Sequence, residues 1–194
     1  MKQKAAAHDA IPAMQGRYLH ILPHRSADAT SNNRSQWHEA LEIKLFYSGG
    51  TTLVIGDELF LSQPGDIFVI NSCTPHSTWD ENPGNDYHML DIDLTKLPVP
   101  PDSRSAAVVE AICAGELMFR TYIHGDSALA VQIERLVAAY KEEDSHGFRV
   151  LAETYLLLDM LIERASNVVE TGRTSKNLAD LSRKLSPALQ MIQQ

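Results

Sequence analysis

The chain has 194 residues, 44% of them hydrophobic and 22% charged, and carries a formal net charge of −8. This composition excludes a disordered or fibrous chain, and the acidic balance excludes strong nucleic-acid binding by this chain alone, because phosphates are neutralised by Lys and Arg. No apolar run approaches the ~20 residues of a membrane helix, the opening MKQKAAAHDAIPAM lacks the apolar core of a signal peptide, and two cysteines, Cys73 and Cys113, are too few for a disulfide framework.

From Tyr18 to Leu94, short apolar runs rich in β-branched and aromatic residues predict consecutive strands at 18–22, 40–47, 52–55, 58–61, 66–70 and 87–94. Gly49-Gly50, Gly56-Asp57, Pro64-Gly65 and Asn82-Pro83-Gly84-Asn85 separate them. Gly and Asn tolerate positive φ and Pro fixes φ, so these read as tight turns of an antiparallel domain. Such strands close most simply into a barrel or jelly roll, which removes exposed edges.

After Leu97, Pro98-Val99-Pro100-Pro101 breaks the pattern, and the rest of the chain is predicted to be helical. Helix 127–142 carries Leu129, Ile133, Leu136, Val137 and Tyr140 on one stripe. In helix 147–166, Phe148, Leu151, Tyr155, Leu158 and Ile162 alternate three and four residues apart, as a helix–helix seam does. A second stripe, Val150, Thr154, Leu157 and Leu161, lies beside it. One stripe can face the barrel or first helix and the other a partner subunit, although a well-buried core helix fits the pattern equally. Residues 167–177 read as a polar linker. Leu178, Leu181, Leu185, Leu189 and Ile192 then begin a new helical pattern, with Ser186-Pro187 as a fresh start, and the sequence stops inside it.

The most informative stretch is Gln36-Trp37-His38-Glu39-Ala40-Leu41-Glu42, followed by Gly49 and later by Pro64-Gly65-Asp66 and Thr74-Pro75-His76. Even spacing along a strand puts Gln36, His38 and Glu42 on one face, expected to be the interior. The stretch resembles the first motif of the cupin superfamily, HxH, three residues, Glu, six residues, Gly, with Gln36 in place of the first His. Gly65 to His76 resembles the second motif, with Asn71 and Cys73 where Pro and Gly are usual. In metal-binding cupins such residues hold a divalent metal, so the resemblance implies His38, Glu42 and His76 as ligands if any metal binds, imidazole and carboxylate suiting Fe, Mn, Ni, Cu or Zn. Gln36 is a weaker fourth ligand, and no metal or other cofactor is expected. His38 and Glu42 can instead bond each other or the backbone. Three polar residues converging on one cavity nonetheless favour a binding role, since barrel mouths are common ligand sites. Trp37 and Trp79 flank the motifs and either wall the pocket or pack outside it.

The wording Trp37-His38-Glu39-Ala40-Leu41-Glu42-Ile43 with a following Gly-Gly turn, the later PGD…PH, and the order barrel, two helices, linker and new helix resemble the sensor domain of AraC-family regulators. The fold class that follows is α+β: a cupin-like barrel (jelly roll) and then two or three C-terminal helices. Residues 1–100 form the effector-binding barrel, 101–168 a helical dimerisation segment, 169–177 a linker, and 178–194 the start of a truncated DNA-binding domain. The resemblance implies a non-enzymatic, cytoplasmic homodimer that binds a small-molecule effector through Gln36, His38, Glu42 and His76. It would pair through Leu151, Tyr155, Leu158 and Ile162, touch DNA only through the missing helix-turn-helix units, and have no membrane partner. Two other readings stand beside it: a metal-dependent cupin enzyme, dioxygenase or isomerase, using His38, Glu42 and His76, and a dimerisation module whose sealed, apolar barrel has lost its ligand.

Overall fold

Strand β4 (Leu41–Phe46) is the spine of the molecule, and all six of its residues are buried. Neighbouring residues on a strand point to opposite faces, so Leu41, Ile43 and Leu45 go one way and Glu42, Lys44 and Phe46 the other. Burial on both sides therefore means that something covers each face of its sheet. The computed structural model describes residues 7–8, 17–25, 35–80, 84–142 and 147–168, and within them it shows both covers.

The spine sheet has five strands in the order β11 (Tyr122–Ile123), β7 (Ile67–Ile70), β4, β9 (Asp86–Ile92), β2 (Leu19–Arg25), all antiparallel. The second sheet runs β1 (Ala7–His8), β3 (Gln36–Trp37), β8 (His76–Asp80), β5 (Thr51–Ile55), β6 (Glu58–Leu61), antiparallel except for the parallel β1–β3 pair. Between the two sheets Phe46, Phe68 and Ile70 pack with Leu53, Ile55 and Tyr87. On the other face of the spine sheet, Leu41, Ile43, Leu45, Val69, Leu90 and Ile92 join Leu129, Ile133, Leu136, Leu157 and Leu161 in the larger core. Those last five come from α2 (Ser127–Lys141) and α3 (Phe148–Ala165).

The helices start where their sequences cap them. Asp126 accepts from the Leu129 N–H at 3.1 Å ahead of α2, and Ser103 accepts from the Ala106 N–H at 3.1 Å ahead of α1 (Arg104–Cys113), each such cap contributing about 1 kcal/mol. Glycines set the hairpins. A Cβ on Gly49 would lie 2.8 Å from the Ser62 carbonyl, and Gly56 turns the β5–β6 hairpin at φ +63°. Asp66, fully buried, accepts from the Gln63 N–H at 2.8 Å and from the Tyr122 hydroxyl at 3.1 Å, so the Pro64-Gly65-Asp66 turn also fastens β11.

The α+β architecture expected from the sequence is present, with three helices among the described residues. All six predicted strands form, 58–61 with the predicted ends and the other five with shifted ends. Three differences carry information. Strand β8 was not predicted, because it shows no aliphatic run, and Gln36, expected on one strand with Glu42, sits in a separate short strand, β3. The segment after residue 101 is not purely helical: Tyr122–Ile123 returns to the spine sheet, and β10 (Leu117–Phe119) pairs with β12 (Ser166–Val168). Residues 167–168, expected to begin a linker, belong to that ladder. Helix α1 lies in the stretch expected to be helical, although its Ala-Ala-Val-Val core gives only a weak stripe that marks no bounds. The remaining linker (169–177), the helix pattern at 178–194 and the turn residues Asn82-Pro83 lie outside the described residues.

Candidate functional site

Glu42, 1% exposed, points from β4 into the space between the sheets and gathers a cluster around it. Its Oε2 lies 3.0 Å from His38 Nε2 and 3.4 Å from His76 Nε2. Its Oε1 lies 3.0 Å from Lys44 Nζ, two residues on along the same face. Lys44 donates to the Thr78 hydroxyl at 2.8 Å and sits 5.6 Å from the centre of the Tyr87 ring. Asp91 stands opposite Glu42 in the β4–β9 register, with His20 Nδ1 at 3.7 Å from it.

The partners assign the protons. A carbonyl oxygen only accepts, so His38 Nδ1 donates to Ala40 O at 3.1 Å and His76 Nδ1 donates to Thr74 O at 2.9 Å. His76 Nε2 is then the acceptor for the Gln36 amide at 3.1 Å. His38 Nε2 faces a carboxylate at 3.0 Å, and a bond there needs a second ring proton, hence an imidazolium. The electrostatics agree: burial pushes the His38 imidazole down, but the Glu42 carboxylate, Asp91 and the Ala40 carbonyl outweigh it and raise it above its ordinary value. Burial would raise Glu42, yet the Lys44 ammonium and the bond to His38 hold it well below the usual carboxylate range.

A second polar group lies at the far end of β8. Asp80 accepts from His24 Nε2 at 2.8 Å, the Thr51 hydroxyl at 2.8 Å and the Asn85 amide at 3.2 Å. His24 stacks on Tyr87 with ring centres 4.4 Å apart.

Gln36, His38, Glu42 and His76 are thus brought together, though not by one strand: Gln36 sits in β3, opposite His76, and residues 38–40 bend before β4 begins. Sequence reasoning missed Lys44, Thr78, Asp91, Asp80 and His24. The signal for Lys44 was present, since Glu42 and Lys44 alternate with Leu41, Ile43 and Leu45. Both departures from the second cupin motif have structural roles. The Asn71 amide pairs twice with the Phe119 backbone, at 2.8 Å each way, clamping β10. Cys73 adopts φ +62°, a left-handed conformation that a glycine would take without strain. Trp37 lines a cleft outside the inter-sheet space, and Trp79 lies half-buried opposite Thr52.

Of the four residues expected at a dimer contact, Leu158 is buried within the chain, and Leu151, Tyr155 and Ile162 pack half-buried against the same core. The Tyr155 hydroxyl donates to the Pro98 carbonyl. Tyr155, Leu158 and Ile162 line an apolar groove of about 680 Å³ between α3, α1 and the Leu97–Pro98 segment. The neighbouring stripe of Thr154, Leu157 and Leu161 is the fully buried one.

His38, Glu42 and His76 each offer one ligand atom within 4.8 Å of the others. Two imidazoles and a carboxylate suit a divalent transition metal, and Nδ1–H bonds to carbonyls are the outer contacts such ligands make. The set fits a metal in kind. The Gln36 amide already lies 3.1 Å from His76 Nε2, and Lys44 pairs with the other carboxylate oxygen, Glu42 Oε1, at 3.0 Å.

A family model described as the AraC-like ligand binding domain matches residues 20–158. The chain belongs to this family. No curated protein matches it. Among solved structures, an oxalate decarboxylase of Bacillus subtilis is 22% identical over 39% of this chain and 21% of its own, with a TM-score of 0.34. A conserved protein of unknown function from Streptococcus pyogenes is 11% identical over 42% of this chain and 65% of its own, with a TM-score of 0.31. The chain therefore spans about a fifth of the decarboxylase it matches. No described helix of this AraC-like domain is long and apolar enough to cross a membrane.

Proposed function

We propose that this AraC-like ligand-binding domain senses a small-molecule effector and dimerises, as the regulatory part of a cytoplasmic DNA-binding transcription regulator whose DNA contacts lie outside the described residues. The observation that carries the reading is that the chain's own side chains hold the cluster: Lys44 pairs with Glu42 Oε1, His38 with Glu42 Oε2, and the Gln36 amide with His76. Such a cluster can exchange its internal partners for those of a polar molecule. A ligand that binds only the exchanged state shifts the population toward it, by no more than its differential affinity for the two states.

The groove of Tyr155, Leu158 and Ile162 is the contact proposed for a second copy. Because Leu158 is buried within one chain, the discriminating substitutions are Ile162→Lys on α3 and Val108→Lys on α1, which face the groove from two sides. A folded monomer by sedimentation in either variant supports the reading, and a dimer in both overturns it. For the sensing half, His76→Ala is expected to abolish the rise in melting temperature caused by an effector found by screening. Equal rises in variant and parent remove His76 from the site.

The second reading, a metal-dependent enzyme on His38, Glu42 and His76, is favoured by the compact ligand spacing. Elemental analysis of the purified protein separates the two: about one metal per chain, lost in His38→Ala, supports the enzyme.

A further inference from the structure

The groove of about 680 Å³ between α1, α3 and the Leu97–Pro98 segment is mostly apolar, and it carries two charges of opposite sign on facing walls. Arg104 is the first residue of α1, and Asp159 lies on α3. Among the described residues they are the only charged side chains that line the groove. Both are exposed, and neither side chain makes a hydrogen bond or an ion pair, with the other or with any described residue. Leu156, a large apolar side chain beside them in the same lining, is 50% exposed.

An apolar face with one unengaged charge of each sign is complementary to itself. In a two-fold dimer the same patch serves both copies, so that if residue i touches residue j, then j touches i. We propose that Arg104 of each copy pairs with Asp159 of the other, and that these two pairs fix the orientation in which the copies dock. The inference rests on the reading of this groove as the contact with a second copy, and adds what its apolar lining cannot supply. Burial of Leu156, Val108 and Ile162 is non-directional, so it does not choose between orientations. A two-fold axis that crosses the line from Arg104 to Asp159 at its midpoint, at right angles, brings each charge onto its opposite. An axis along that line sets Arg104 against Arg104 and Asp159 against Asp159, and like charges opposed across an interface suppress that arrangement.

The test is a charge swap, read by sedimentation velocity over a range of concentrations at low salt, where exposed charges are least screened. Arg104→Glu opposes two carboxylates at each contact, and Asp159→Lys opposes two cations. Each variant alone is expected to raise the dissociation constant of the dimer about 25-fold, since an exposed pair contributes about five-fold at its upper end and the symmetry makes two of them. Mixed in equal amounts, the two variants should dimerise with each other as tightly as the parent, because both contacts of the mixed dimer again join opposite charges. The double variant Arg104→Glu, Asp159→Lys should do the same with itself. An acidic residue suits the first turn of a helix and a lysine suits a helix interior, so the circular dichroism of every variant should match the parent's, which separates dissociation from unfolding. A parent that sediments as a monomer overturns the dimer reading and this inference with it. A dimeric parent overturns this inference alone if either single variant dimerises as tightly as the parent, or if the mixture and the double variant stay monomeric.

Discussion

The two faces of β4 are equally buried and chemically opposite. Toward the helices stand Leu41, Ile43 and Leu45, in a core built mainly of aliphatic side chains from the sheet, α2 and α3. Toward the second sheet stand Glu42 and Lys44, with two imidazoles, Thr78 and Asp91 close by. Apolar burial stabilises in proportion to area, at roughly 25 cal/mol per Å². Buried charge does so only when pairing offsets desolvation, and a well-packed apolar substitute is often at least as stable. One face is thus explained by stability, whereas the other is not, and that contrast is the physical reason to look for function between the sheets.

Breaking the ion pair on one side gives the largest expected effect. Lys44→Met leaves the Glu42 carboxylate in the interior without its ammonium and should cost about 3–5 kcal/mol in urea unfolding. Removing both charges, as Glu42→Gln with Lys44→Met, should restore most of that loss. A double variant as unstable as Lys44→Met would mean that the polar face holds the fold together, and the contrast with the apolar face would disappear.

On the helix-covered face no such rescue exists. Leu90, fully buried in the larger core, should lose about 2–4 kcal/mol as Leu90→Ala, from lost transfer energy plus the cavity left behind. The loss should be additive with the Glu42→Gln, Lys44→Met pair when all three are combined, because the side chains point to opposite faces of the sheet. Strong coupling in the same unfolding measurement would show that strain passes through the sheet.

The contrast also explains what was legible in the sequence. The apolar face was readable, since its strands and the stripes of α2 and α3 repeat with the periods of regular structure. Strand β8 was not, because its buried face is His76, Thr78 and Asp80, and a polar interior erases the alternation by which a strand is recognised. Gln36, His38, Glu42 and His76 were found through motif spacing, whereas Lys44 matched no motif, although its place on the Glu42 face follows from simple alternation. The clamp of Asn71 on Phe119 links residues far apart in sequence and leaves no local pattern at all. The same holds for β10 and β11, whose two or three residues are too short to show a period.

The smallest expected effect belongs to the polar face alone, and it is a dependence on pH. Because His38 is raised in the folded chain, its contribution is complete below the ordinary imidazole value of 6.5 and fades as pH rises through the raised value. Glu42 is lowered, so its contribution is complete above the ordinary carboxylate value of 4.5 and is lost only as pH falls well below it. Unfolding free energy measured from mildly acidic to mildly alkaline pH should therefore decline on the alkaline side in the parent protein, keep that slope in Leu90→Ala, and lose it in His38→Gln. An unchanged slope in His38→Gln would show that no imidazolium is held against Glu42. The cluster would then be a neutral hydrogen-bonded network, and the two faces of β4 would differ in polarity without differing in charge.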